Sequence, residues 1–196
     1  NQLKRECATE IAATLAFSAI QNNDKIGVIF FSDHVEKYIP PKKGRKHILY
    51  LIREMLTFTP NSKKTDVGVG LEYLNKVVKR RCTAFVISDF YTRKDFSQEL
   101  RITNRKHDVV AIQVYDPRAK VMPDVGLLKV IDAETGHEMY VDTHDIRVRK
   151  AHNTYWEERE QRLHDTLTQS HVDSVAIATN DDYVKMLITL FLKRRR

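Results

Sequence analysis

Thr83-Ala84-Phe85-Val86-Ile87-Ser88-Asp89-Phe90 is a short apolar run that stops at a serine and an acid. Helical patterns flank it on both sides. A run of this kind reads as a strand buried on both faces of a parallel sheet. Ligands of open α/β sheets sit just beyond the carboxyl ends of the strands, which puts Asp89 at the ligand edge. Directly before this strand a helix opens on Lys64-Thr65-Asp66, a second loop rich in oxygen donors. The two together suggest a small site for a hard cation, whose ligands are oxygens.

Working outward, the rhythm of the chain is strand and helix in alternation. Residues 3–21 read as a helix with an apolar face of Leu3, Cys7, Ile11, Leu15 and Phe17. Residues 26–31 form a strand closed by Ser32-Asp33, and 35–39 a second strand that Pro40-Pro41 should stop. Helices follow at 45–56 and 66–80, then the opening strand at 83–88, a helix at 96–105 and a buried strand at 109–114. Segments 127–132 and 138–141, around Ala133-Glu134-Thr135-Gly136-His137, read as a β-hairpin. A charged helix at 148–169, a strand at 174–177 and a helix at 181–193 complete the chain, with Asn180 in N-cap position for the last. The expected architecture is α/β: one domain over residues 1–196, a doubly wound, mostly parallel sheet with helices on both faces, and a hairpin insertion at 127–141.

Composition narrows the class. The 196 residues suffice for one full core, and 42% hydrophobic with 30% charged residues is ordinary for a globular chain. No apolar run has the length of a membrane span, so no membrane partner is expected. Cys7 and Cys82 lack C-x-x-C spacing and a histidine at metal-ligand distance, which points to a reduced, cytoplasmic protein. The net charge is +7, and positive residues cluster at Lys42-Lys43-Gly44-Arg45-Lys46, Lys79-Arg80-Arg81 and Lys193-Arg194-Arg195-Arg196. Such clusters can attract nucleic acid, but no nucleic-acid motif or aromatic interleaving accompanies them. Lys79-Arg80-Arg81 and the terminal cluster end expected helices, where they complement the macrodipole, and solvated helix ends are the favoured explanation.

Three strand ends carry acids: Asp33, Asp89 and Asp116. Thr65 and Asp66 enter the same edge from their loop. Each has a plain structural use beside the chemical one. Thr65 or Asp66 suits a helix N-cap, Asp89 could cap the helix after it, Asp33 suits a turn, and Asp116-Pro117 explains itself as a turn. Gly68 and Gly70 lie inside a helix and read as close-packing contacts. His107 and His152 read as surface or interface residues, Tyr155 and Trp156 as helix packing. No nucleophile elbow, phosphate-binding glycine loop or D-x-D-x-T is present.

Several runs resemble the bacterial domain-of-unknown-function-58 family. They are Ile26-Gly27-Val28-Ile29-Phe30-Phe31-Ser32-Asp33, Tyr38-Ile39-Pro40-Pro41-Lys42-Lys43-Gly44-Arg45, Arg105-Lys106-His107-Asp108-Val109-Val110-Ala111, Tyr115-Asp116-Pro117-Arg118 and Pro123-Asp124-Val125-Gly126-Leu127. That family is similar to von Willebrand factor A domains, which hold a divalent cation at a metal-ion-dependent adhesion site. The resemblance implies Thr65 as the site's threonine and Asp89 as its aspartate, with Mg²⁺ or Mn²⁺ as the cation. The D-x-S-x-S motif of such sites has no match; it would lie on a central strand before Leu3, and this sequence begins after it. Cation binding by these residues alone is therefore expected to be weak or absent.

The resemblance implies a non-enzymatic protein-interaction module. Its expected partner is a protein, in particular a MoxR-type AAA ATPase acting in the assembly of protein complexes. Two other readings stand beside it. One is a metal-dependent hydrolase or phosphotransferase using Asp66 and Asp89, the other a basic nucleic-acid-binding domain. The absence of nucleophile and base motifs favours the first reading.

Overall fold

β4 (Asp108–Tyr115) organises the molecule. Its alternate side chains enter two different cores. Val109 and Ala111 join one core, Ile112 and Val114 the other. Such a strand must have strands on both sides and layers above and below. In the computed structural model, which describes residues 2–92, 94–131 and 136–194, β4 pairs in parallel with β3 (Thr83–Ser88) and with β7 (Asp173–Ala178). On one face lie α3 (Val67–Val77), α4 (Ser97–Lys106) and the end of α5 (Ile146–Gln169), through Val67, Leu71, Leu100 and Leu167. On the other lie α1 (Gln2–Gln21) and α6 (Tyr183–Arg194), through Cys7, Ile11 and Leu187. The expected α/β architecture, a parallel sheet with helices on both faces, is the one observed.

The strand pairing of the first third departs from a single mostly parallel sheet. β1 (Ile26–Phe31) pairs only with β2 (Val35–Lys42), antiparallel, as a separate two-stranded sheet. Among the described residues β1 and β3 each have a strand on one side only. β1 is half-buried along its whole length despite the sequence Ile-Gly-Val-Ile-Phe-Phe. α3 bridges the two sheets: the Phe31 ring packs on the core around Val86 and fills the space beside Gly70. A Cβ at Gly70 would meet that ring at 2.9 Å, so the glycine is a close-packing contact, as expected.

Pro40-Pro41 do not end β2, which continues to Lys42. Among the described residues β2 has a neighbour on one side only, and the register shifts between Ile26 and Val28, so the ladder breaks where the prolines cannot donate. Gly27 lies in that irregularity. A Cβ there would stand 2.7 Å from the Ile39 carbonyl oxygen and 2.8 Å from the Pro41 nitrogen.

Other boundaries move for local reasons. α3 stops at Val77, short of residue 80, because Val78 turns extended. α5 begins at Ile146, two residues before the periodicity suggests, because Asp145 caps it by accepting from the Arg147 backbone N–H at 2.8 Å. The Arg147 guanidinium beside it holds the Asp145 carboxyl at about 2. At α6, Asp182 accepts from Lys185 N and acts in place of the expected Asn180. β5 (Leu127–Ile131) and β6 (Glu138–Asp142) form the expected antiparallel hairpin; residues 132–135 of its connection lie outside the described residues.

His107 overturns its sequence assignment as a surface or interface group. It is fully buried, with Nδ1 3.4 Å from Cys82 Sγ. Burial pushes its pKa below the ordinary 6.5. The unfolded chain then takes up the proton first as pH falls. Stability from this group is complete above 6.5 and drains away as pH drops through that value toward the lowered one. Melting temperatures followed from about pH 8 to about pH 5 should show this decline. A His107→Asn variant should lack that component, and an unchanged pH profile in the variant would contradict the assignment.

Candidate functional site

The edge beyond β1 and β3 is assembled by backbone. Asp66 N donates to the Ser32 carbonyl at 2.9 Å, which fastens the start of α3 to the end of β1. Asp66 is the N-cap of α3, its Oδ1 accepting from Val69 N at 3.4 Å. Its other oxygen receives Lys94 Nζ at 2.7 Å. Asp66 is buried while Lys94 is largely exposed. The hydrogen bond from this ammonium to Asp66 raises the Lys94 pKa. Thr65, half-exposed beside it, makes no side-chain hydrogen bond among the described residues.

Asp89 follows β3 directly. Its Oδ1 accepts from Tyr91 N at 3.0 Å, and Oδ2 receives Lys4 Nζ from α1 at 2.8 Å. Ser88 Oγ accepts from Phe90 N at 3.0 Å. Phe90 has φ +51°, and its ring is buried against Phe96. Core packing thus holds a conformation that a bulky residue rarely adopts, and it fixes where the chain turns after Asp89. Asp89 does not cap α4, as one reading of the sequence allowed.

Arg159 of α5 completes the support. Its guanidinium lies 4.7 Å from the Tyr91 ring centroid and 4.8 Å from that of Trp156, and it donates to the Asp89 carbonyl at 2.8 Å. Burial lowers its pKa, against the pull of Asp89 and the neighbouring tyrosines. The Tyr155 and Tyr91 hydroxyls meet at 3.3 Å. Tyr155 and Trp156 do pack, but against this arginine and the edge loop.

Thr65, Asp66 and Asp89 therefore share one edge, as their positions before α3 and after β3 suggested. Asp33 pairs with His34 at 2.9 Å, and Asp116 is held by the Arg118 guanidinium at 2.8–3.2 Å; both are turn residues. Lys4, Lys94 and Arg159 were not legible as site residues. The one available signal was Trp156 and Arg159 at i, i+3 on a helix, which places them side by side.

A hard cation of the magnesium class needs about six oxygens. Here each carboxylate is already matched by an ammonium and a backbone N–H, and the Thr65 hydroxyl adds one further oxygen. Among the described residues no group of three or more His, Cys, Asp or Glu is placed to hold a metal ion. These residues by themselves do not fit a Mg²⁺ or Mn²⁺ centre.

Residues 1–162 match the family model described as protein of unknown function DUF58. The chain belongs to the DUF58 family. Among curated relatives, the uncharacterized protein Rv1480 of Mycobacterium tuberculosis is 31% identical over 135 residues, 68% of this DUF58 chain and 43% of the relative. An uncharacterized Mycobacterium avium protein, MAV169, is 33% identical over 100 residues, 50% of this chain and 59% of the relative. The chain thus spans about half the length of the curated relatives it matches. Two solved structures share the fold. The conserved hypothetical protein BatB of Bacteroides thetaiotaomicron has TM-score 0.60 and 14% identity, covering 96% of this chain and 87% of that one. An aerotolerance-related membrane protein of Bacteroides fragilis has TM-score 0.57 and 13% identity, covering 94% and 88%. At these identities the likeness is one of fold. No helix among the described residues is long and apolar enough to cross a membrane.

Proposed function

We propose that this DUF58 domain is a non-enzymatic, cytoplasmic protein-interaction module that meets its partner at the Thr65–Asp66–Asp89 edge. The observation that carries the reading is the state of the two carboxylates. Each is bound to a lysine and a backbone N–H, which leaves neither placed as a general base or nucleophile. What the edge offers instead is a pair of exchangeable ion pairs on a rigid frame, one of them with a largely exposed lysine. A partner carrying its own charges can trade for these contacts, a mode that gives specificity more than bulk affinity. The Mg²⁺ or Mn²⁺ implied by the adhesion-site resemblance joins this proposal only with donors beyond the residues described. The MoxR-type AAA ATPase is the first partner to test, on the strength of the same resemblance.

The test is affinity capture of such an ATPase by the parent chain and by Thr65→Ala/Asp89→Ala, with melting curves run in parallel. Capture should weaken on the order of 10-fold or more for the variant, the range of an interface hot spot. Equal capture by a folded variant sinks the proposal. So does phosphoester turnover, with added Mg²⁺, that disappears in Asp66→Ala or Asp89→Ala.

A further inference from the structure

The dipole explanation fails for Lys79-Arg80-Arg81, and it does not extend to Lys42-Lys43-Gly44-Arg45-Lys46. Arg45 and Lys46 stand in the first turn of α2 (Arg45–Thr57), which has no acidic residue there and no side-chain cap on Gly44. Cations at a helix N-terminus oppose the macrodipole and weaken the helix. Lys79, Arg80 and Arg81 lie beyond the end of α3, in the loop before β3. Only the third cluster is absorbed by the fold: Arg194 binds Asp108 at 2.5 and 2.6 Å and Asp173 at 3.1 Å, while 195–196 lie outside the described residues.

The first two clusters share one edge. α3 starts at Ser32, passes Phe31 at Gly70 and meets Tyr38, the pairing partner of Ile29, at Tyr73. It therefore runs antiparallel to β1 and delivers residues 79–81 toward the start of that strand, where Ile26 pairs with Lys42. This edge is opposite to that of Asp66 and Asp89. Lys25, Lys42, Lys43, Arg45, Lys46, Lys79, Arg80 and Arg81 are all exposed, and among the described residues none makes an ion pair. These eight cations are about a quarter of the chain's 33 Lys and Arg. Leu49 and Tyr50, 48% and 44% exposed, stand one turn along α2 from Arg45 and Lys46.

Unpaired cations next to exposed aliphatic and aromatic side chains match the two layers of an anionic bilayer surface, phosphate outside and acyl carbon below. Nucleic acid would use the cations and leave Leu49 without a partner. We propose that this edge and the adjoining outer face of α2 together form a peripheral docking surface for an anionic lipid bilayer, with Lys42, Lys43, Arg45 and Lys46 at the headgroups and Leu49 and Tyr50 entering the interface. The inference stands apart from the contact proposed at the acidic edge.

Sedimentation with phosphatidylcholine vesicles, with and without phosphatidylglycerol, tests it. The parent chain should bind only the anionic vesicles and release with rising salt. K42E/K43E/R45E/K46E, all exposed positions, should lose affinity on the order of 100-fold or more, since each basic residue near an anionic surface contributes about fivefold. L49S/Y50S should bind several-fold more weakly at unchanged charge. Circular dichroism checks that both variants are folded. Failure to bind anionic vesicles overturns the proposal, as does parent-like binding by K42E/K43E/R45E/K46E. Parent-like binding by L49S/Y50S also overturns it, because only adsorption of a basic protein would then remain. Salt-dependent binding to duplex DNA without vesicle binding assigns the edge to nucleic acid instead.

Discussion

Gly27→Ala is expected to destabilise the fold by about 2–3 kcal/mol, the range for overpacking, and so to lower the melting temperature by roughly 4–12 °C for a chain of this size. One methyl group suffices because its neighbours cannot move alone. The Cβ would meet the Ile39 carbonyl and the Pro41 nitrogen and Cδ, all within 3.0 Å. Two are backbone atoms and the third belongs to a closed ring. Relief requires opening the β1–β2 ladder at its register shift, which also carries the Phe31 packing onto α3. The measurement is thermal melting of the variant against parent. An unchanged midpoint would mean that β2 does not follow the path through Pro40-Pro41 described above.

Arg159→Ala should cost a similar amount, about 2–3 kcal/mol, from the loss of two cation–π contacts and a charged hydrogen bond. The guanidinium is flat and half-buried, 4.7 Å from the Tyr91 ring centroid and 4.8 Å from that of Trp156. Lysine keeps the charge without the planar stack, so Arg159→Lys should recover only part of the loss. Trp156 is the only tryptophan in the chain, and its fluorescence reports the stack directly. Its emission should shift in Arg159→Ala under native conditions, before any unfolding. Parent-like emission and melting in the alanine variant would contradict the placement of α5 against the Asp89 loop.

Sequence reasoning went furthest where periodicity and apolar runs decide the outcome. Thr83 to Ser88 is a strand over the expected residues, and Asp89 emerges at the expected edge, because an apolar run between helices has few other homes in an α/β fold. Thr65 and Asp66 reached the same edge for the same reason. The misreadings have a common origin in contacts between distant segments. Pro40-Pro41 looked like a stop, but a strand with a neighbour on one side only tolerates missing donors. His107 looked like a surface group because its contact with Cys82 joins positions 25 residues apart. Lys4 and Lys94 pair with acids 85 and 28 residues away, and no local pattern encodes such a match. Lys79-Arg80-Arg81 looked like a helix end until the boundary at Val77 left it outside.

β3 runs from the basic edge to the acidic one in six residues, a span of about 20 Å at the rise of an extended strand. The residues facing a bilayer and those facing a protein partner would then stand about one strand length apart. The two surfaces would not compete for room, so lipid and partner could be held at the same time.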